Sequence, residues 1–308
     1  MKRGAFMELK NVQTFRVLAE ELSFTRTAER LNYAQSSVSA QIQSLEEELG
    51  VLLVERSGKR IRLTDAGTQF LSYAHRLLNL ADEAHEVVGN SSEVVGTLTV
   101  GSVESLCTYR LAPVLKAYRA HFPQVELIFR TGICRDLRQA VWHGSLDLAV
   151  TLESPCQDPG LHCEILRDEP MRVVAPVHHP LARALEVGPG DLEHETLLVT
   201  EPGCSYRVMF ESALESTGIH HPRVEFFSVE AIKQCVQAGL GVSLLPSMAV
   251  QEELEAHELV ELPWNGPEFP VVSQLVWRHD KWLSPAARGF IEMTRRYFST
   301  ALQDVDGL

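Results

Sequence analysis

Hydrophobic positions near the start of the chain recur three and four residues apart. Val12, Phe15, Leu18 and Leu22 predict one amphipathic helix. The segment "SFTRTAERL" predicts a short second one, with Ser23 as its N-cap and Ala28 and Leu31 turned inward. Only Asn32 and Tyr33 separate it from a third, carried by "LNYAQSSVSAQIQSLEEELG" over residues 31–50. There Val38, Ile42, Leu45 and Leu49 form a stripe roughly 60° wide, the face to be buried. Ser36, Ala40 and Gln43 lie opposite, Ser39 lies on the flank, and Gly50 supplies a left-handed stop. Two short helices across a tight turn, with a small inward alanine, make a helix-turn-helix. In "LLVERSGKRIRLT" two β-prone segments flank Ser57-Gly58, predicting a hairpin wing ringed by Arg56, Lys59, Arg60 and Arg62.

From Thr64, an N-cap candidate, to Val88 no proline interrupts the chain. Phe70, Ala74, Leu77, Ala81, Ala84 and Val88 alternate spacings of four and three, the 3.5-residue period of a coiled-coil seam. A helix of ~25 residues is ~37 Å long, too long for the small head alone to cover. A core helix of the following domain would fit the same periodicity. "GNSSEVVG", residues 89–96, reads as a hinge.

Beyond it strands alternate with helices. "TLTVGS", helix 103–120, "VELIFR", helix 135–143 and "LDLAVT" form one β-α-β-α-β block; "TLLVT", helix 204–217, "VEFFS", helix 229–238 and "GVSLLP" form another. "RDEPMRVVAPVHHPLA" would carry the chain to the second block, "FPVVSQLVWRHD" would return it, and helix 284–300 would close the first. The expected fold is therefore α plus α/β: a winged helix-turn-helix over 1–65, a linker helix and hinge over 66–95, and a two-lobed α/β domain over 96–308, built like a periplasmic binding protein. Lobe I takes 96–167 and 268–308, and lobe II takes 168–267.

The net charge of −13 over 308 residues argues against a nucleic-acid partner until it is divided. Residues 1–65 hold ten Lys/Arg and nine Asp/Glu, whereas the remainder holds 18 and 32. A nearly neutral head on an acidic body leaves room for a local basic patch. No apolar run approaches the ~18 residues of a membrane span. "MKRGAFMELKN" has no apolar core or cleavage site, so a cytoplasmic chain with reduced thiols and no membrane partner is expected. The six cysteines form no CxxC pair, so no metal or other cofactor is expected, and His178-His179 reads as a loop. The chain carries no GxSxG elbow, Walker loop or GxGxxG after a strand, and is not expected to be an enzyme.

The third helix is charged at the wrong end. Acids favour a helix N-terminus, yet Glu46, Glu47 and Glu48 crowd its exit while Gln35, Ser36, Ser37 and Ser39 open it. A groove of double-stranded DNA supplies the missing negative charge. The start of the second helix of a helix-turn-helix enters the major groove, where Gln pairs with adenine and Ser with bases or phosphates. The basic wing would meet phosphates beside it. A solvent-exposed Ser/Gln face with no partner is the alternative for this helix taken alone.

Residues 8–68, with "FTRTAERLNYAQSSVSAQIQSLEEELG" and "LLVERSGKRIRLTDAG", closely resemble the DNA-binding domain of LysR-type transcriptional regulators. The resemblance implies DNA contacts from Thr25, Gln35, Ser36 and Ser39, with Arg56 supporting the wing. Ser37, Gln43, Lys59 and Arg60 join them as candidates by position. Ala40 stands where many members place a base-reading arginine, which leaves the operator sequence open. The resemblance further implies a linker helix that pairs subunits, in a dimer or a tetramer of dimers.

Open α/β sheets bind ligands at the carboxyl ends of their strands. Here these are Gly101-Ser102, Thr131-Gly132, Thr151, Thr200 and Ser228, several of them preceding helices, a setting for a small anion. The weaker resemblance along the body implies an effector cleft near Ser102, Glu104, Ser105, Thr131, Thr200, Cys204, Glu230 and Ser243. These hydroxyls would otherwise merely cap helices. Cys204, after "EPG" at a helix start, is expected to have a depressed thiol pKa. A thiol-gated regulator and a cytoplasmic solute-binding or enzymatic α/β protein stand as alternatives to a regulator gated by a small anionic effector.

Overall fold

The computed structural model describes residues 7–57, 60–88, 94–215, 218 and 221–300. The chain forms two compact units, residues 1–92 with 143–145 and the remainder, each with its own core.

The first unit contains α1 (Leu9–Glu21), α2 (Phe24–Leu31), α3 (Gln35–Leu49), the strands β1 (Val54–Ser57) and β2 (Arg60–Leu63), and α4 (Asp65–Val88). Ser23 caps α2, its Oγ accepting the Arg26 N–H at 3.3 Å. The turn into α3 depends on Asn32, whose φ of 56° is left-handed; Tyr33 N–H then donates to the Ala28 carbonyl at 2.9 Å. Thr64 caps α4 by accepting the Gly67 N–H at 2.9 Å and donating to the Leu52 carbonyl at 2.7 Å. At Gly67 the helix lies directly on the chain before the wing. A Cβ there would sit 2.0 Å from the Leu53 oxygen.

Phe15, Leu18, Val38, Ile42, Leu45 and Leu53 form the core of this unit. Ala74 of α4 is fully buried with them, and Phe70 places its ring 5.3 Å from that of Phe15. This corrects the expected seam: Phe70 and Ala74 serve the head's own core. Among the described large apolar side chains of α4, Tyr73, Leu77, Leu80 and Val88 are exposed. Of the expected hinge, residues 89–93 lie outside the described residues.

The second unit begins with β3 (Gly96–Ser102), α5 (Glu104–Leu106), a π-helical turn (Cys107–Leu111) and α6 (Ala112–His121). One helix was expected over 103–120. Pro113, early in α6, has no N–H to give the preceding turn, and the helix loosens there into the wider π turn. The chain continues through β4 (Val125–Thr131), α7 (Cys134–Trp142), β5 (Leu148–Glu153), β6 (Leu161–Asp168) and β7 (Met171–Pro176). Next come β8 (Leu197–Val199), α8 (Ser205–Glu215), β9 (Arg223–Glu225), α9 (Val229–Gln237), β10 (Ser243–Pro246), α10 (Ser247–Glu255) and β11 (Leu259–Glu261). The last two elements are β12 (Val272–Arg278) and α11 (Pro285–Thr300).

One lobe carries the sheet β4-β3-β5-β12-β6. β3 runs parallel to β4 and β5, while β12 is antiparallel to β5 and β6. The other lobe joins the parallel pair β8-β9 through a bridge at Leu197–Val242 to the antiparallel set β10-β7-β11. It is thus less parallel than its strand-helix alternation suggested. The chain passes between lobes from β6 to β7 and from β11 to β12. Among the described residues no helix is long and apolar enough to cross a membrane.

Candidate functional site

The first candidate site is the start of α3. Val38, Ile42 and Leu45 are buried, which fixes the opposite face outward: Gln35, Ser36, Ser37, Ala40 and Gln43 are exposed and Ser39 is half-buried. Thr25 on α2 is exposed as well. The first turn carries no acid, and Ala34, at the N-cap, offers no side-chain acceptor; Ser37 N–H donates to the Ala34 carbonyl at 3.0 Å, and the Gln35 and Ser36 amides are left to an outside acceptor. At the far end the acids have local work. Glu46 accepts the N–H groups of Leu53 at 2.7 Å and Val54 at 3.1 Å, closing the turn into the wing. Glu47 accepts from the Gln43 amide at 2.7 Å, so this candidate contact is already hydrogen-bonded. The wing is an antiparallel hairpin with Ser57 opposite Arg60, and Arg62 is exposed on it. Lys59 lies outside the described residues, as do the side chains of Arg56 and Arg60.

The second candidate site is a cleft between the two lobes of the second unit, where five strand ends converge. After β3 come Val103, Glu104 and Ser105; after β4, Ile133 and Cys134; β5 gives Leu152. From the other lobe come Thr200, Glu201, Cys204, Ser205 and Tyr206 after β8, and Phe227, Ser228 and Val229 after β9. Gly203, at φ 90°, makes the turn that brings α8 to the cleft.

Of the expected effector residues the cleft gathers Glu104, Ser105, Thr200 and Cys204. The others lie elsewhere. Ser102 and Ser243 are buried and donate to the carbonyls of Val150 at 2.8 Å and Leu198 at 2.7 Å, holding neighbouring strands. Thr151 is buried behind the wall and Thr131 is exposed at its strand end. Glu230 sits beside the cleft, bonded to the Tyr109 hydroxyl from the opposite lobe and 3.0 Å from Lys233 Nζ. Sequence reasoning missed Glu201, Ser205, Tyr206 and Phe227. Their signal was the loop immediately beyond each strand end, not the last strand residue.

Burial leaves one cleft group without a partner and a second nearly so. Oε2 of Glu104 is enclosed with no hydrogen bond, and Oγ1 of Thr200 has only the Cys204 thiol beside it. Burial pushes the Glu104 carboxyl above its ordinary value, although it accepts from the Val229 backbone; Glu230 and Glu201 push it further. The expected anion meets a wall with two carboxylates and no lining lysine or arginine.

Cys204 departs from expectation too. Burial raises its thiol pKa, outweighing its bonds with Thr200 and the Arg207 backbone. Cys134, across the cleft, is pushed up to about 12 by burial and by Glu153. Burial thus raises both thiols, the opposite of the depression that would favour a thiolate at Cys204. Among the described residues no three His, Cys, Asp or Glu side chains are grouped to hold a metal.

Two family models match the chain: "Bacterial regulatory helix-turn-helix protein, lysR family" over residues 9–68 and "LysR substrate binding domain" over residues 91–299. The uncharacterised HTH-type transcriptional regulator YwqM of Bacillus subtilis is 46% identical over 293 residues, covering 95% of this chain and 100% of that one. Among solved structures, a full-length OxyR variant from Pseudomonas aeruginosa superposes with a TM-score of 0.75 at 27% identity, covering 96% of this chain and 95% of the other. Full-length BenM gives 0.56 at 27%, covering 96% and 98%.

Proposed function

The chain belongs to the LysR family of transcriptional regulators, and from that premise we propose how its parts divide the work. The DNA-binding unit is residues 1–65, with 66–95 as linker and 96–308 as effector domain, its lobes divided at 168 and 268. The start of α3 reads a two-fold DNA operator through Gln35, Ser36, Ser37 and Ser39, with Thr25 alongside and Gln43 further down the same face. Arg56, Lys59 and Arg60 of the wing neutralise phosphates. α4 pairs subunits through the apolar positions it exposes, giving a dimer or a tetramer of dimers. A small molecule between the lobes biases their relative position, and that bias reaches the heads through α4. Such a protein works in the cytoplasm, and its relatives are named as regulators rather than enzymes.

The observation that carries this reading is the polarity of α3: its apolar stripe is buried, and its exposed opening turn has neither acid nor side-chain cap. The test compares two substitutions. Gln35→Ala is expected to weaken binding to a selected operator by roughly five- to a hundredfold, the effect of one lost base pairing, and to leave random duplex binding unchanged. Lys59→Ala is expected to weaken both equally and to lower the salt slope by about 0.9. Equal, negligible effects in gel-shift titrations would overturn it.

A further inference from the structure

We propose that the effector of this cleft carries a cationic amine, seated among Glu104, Thr200 and Glu201. The proposal rests on reading the cleft as the effector site and names the chemistry that site selects.

Three observations converge. Glu104 Oε2 is enclosed without a hydrogen bond, Thr200 Oγ1 has only the Cys204 thiol beside it, and both residues line the cleft. Thr200 is only 4% exposed, so bulk water does not satisfy it. Buried acceptors left unpaired are costly, a carboxylate most of all, and a ligand that supplies donors recovers that cost. Next, the wall has acids but no base. Lys233, the nearest cation acting on Glu104, is already held by Glu230 at 3.0 Å and Glu253 at 2.7 Å. Glu201 makes no ion pair among the described residues. The protein therefore leaves the counter-charge of this site to its ligand.

The third observation is size and lining. The enclosed space is about 30 Å³, room for one or two water-sized groups. An ammonium head fits that space and brings three donors and no acceptor, as the lysine ammonium does. Val103, Ile133, Leu152 and Val229 offer apolar wall for a short carbon body, and Phe227, 78% exposed, stands at the lip. A carboxylate head would instead set a third carboxylate beside Glu104 and Glu201.

The test uses the full-length protein and three probes of matched carbon length: propylammonium, butyrate and 1-propanol. Binding is followed by calorimetry and by the thermal midpoint of the effector unit. Propylammonium is expected to raise the midpoint by about 3–5 °C at ten times its Kd. Glu104→Gln should weaken that binding at least roughly tenfold, the scale of one charge-assisted hydrogen bond. Thr200→Val, which removes the second oxygen, should weaken it severalfold. Butyrate binding more tightly than propylammonium, with loss in Thr200→Val, would overturn the cation while keeping the cleft as the effector site. Amine binding unchanged in both variants would overturn the proposed seat. No stabilisation by any probe at tens of millimolar would overturn the proposal and the effector reading together.

Discussion

Glu46 and Glu104 are both partly buried carboxylates, and their neighbours give them opposite roles. Glu46 receives two backbone N–H groups and fixes the turn between α3 and the wing. Glu104 is raised by burial, and one of its oxygens has no partner. An acid whose folded pKa is raised costs stability wherever it is ionised in the unfolded chain but resists ionisation in the fold. Glu104→Gln is therefore expected to raise the midpoint of the effector unit at neutral pH. The gain should shrink as pH falls and vanish below the ordinary carboxylate value of 4.5, where both forms are neutral. Thermal unfolding at pH 7 and pH 4 checks this; an equal midpoint change at both would contradict it. At this scale the sequence was a partial guide. It showed that Gln35 and its neighbours face outward, because a stripe of apolar residues fixes the opposite face. It could not show that Cys204 is raised rather than depressed, because burial among Thr200, Tyr206 and the opposite lobe is a tertiary property.

Among elements, the join between wing and α4 is the tightest. The helix start rests on the Leu53 carbonyl, and Gly67 is the residue that permits it. Gly67→Ala puts a methyl 2.0 Å from that oxygen, so helix and turn must separate. The expected loss is about 1–3 kcal/mol, the range of an overpacked core position. It should appear as an earlier unfolding of the head with the effector unit unchanged. A stabilised head, the usual result of glycine to alanine in an open helix, would contradict the packing. Elements with strong periodicity were legible: α1, α2, α3 and the hairpin lie where their patterns put them. Helix α4 was legible in extent but not in allegiance, since a 3.5-residue spacing says which positions share a face and not which partner takes it. Phe70 and Ala74 went to Phe15 and its neighbours, and the exposed stripe lies along Tyr73, Leu77 and Leu80. The strand β6 and the pair α10 and β11 were not foreseen. β6 lies at a sheet edge and mixes buried Leu161 with exposed Ile165, so no clean alternation marks it. The break between α5 and α6 was written in Pro113, and the apolar period running through it hid the signal.

For the whole molecule, the division of charge matters more than its total. The acidic excess lies beyond residue 65, and the head remains near neutral, with four of its ten cations in the wing segment 56–62. In the proposed function, association runs through the side chains α4 leaves outside. Leu80 is 59% exposed, beyond what an isolated helix surface needs. Leu80→Glu is expected to weaken subunit pairing at least roughly tenfold, since a charge is costly in an apolar seam. Sedimentation velocity would show a lower mass at micromolar protein, with secondary structure retained; an unchanged mass would place the pairing surface elsewhere. The two-lobed architecture was legible from the alternation of strands and helices and from the two segments that cross between blocks. The chemistry of the cleft was not, because acids from both lobes meet only after folding.

The claim on which these scales converge is that an acid-free helix tip and a cationic wing meet DNA. Its most direct measurement is the affinity of the full-length protein for a duplex it selects from a random pool, followed from 50 to 200 mM salt. The account predicts binding that weakens linearly in log–log form, by about 0.9 per neutralised phosphate, with Gln35→Ala lowering the line without changing its slope. No binding to any duplex in dilute buffer, or a salt-independent affinity indifferent to Gln35, would contradict it.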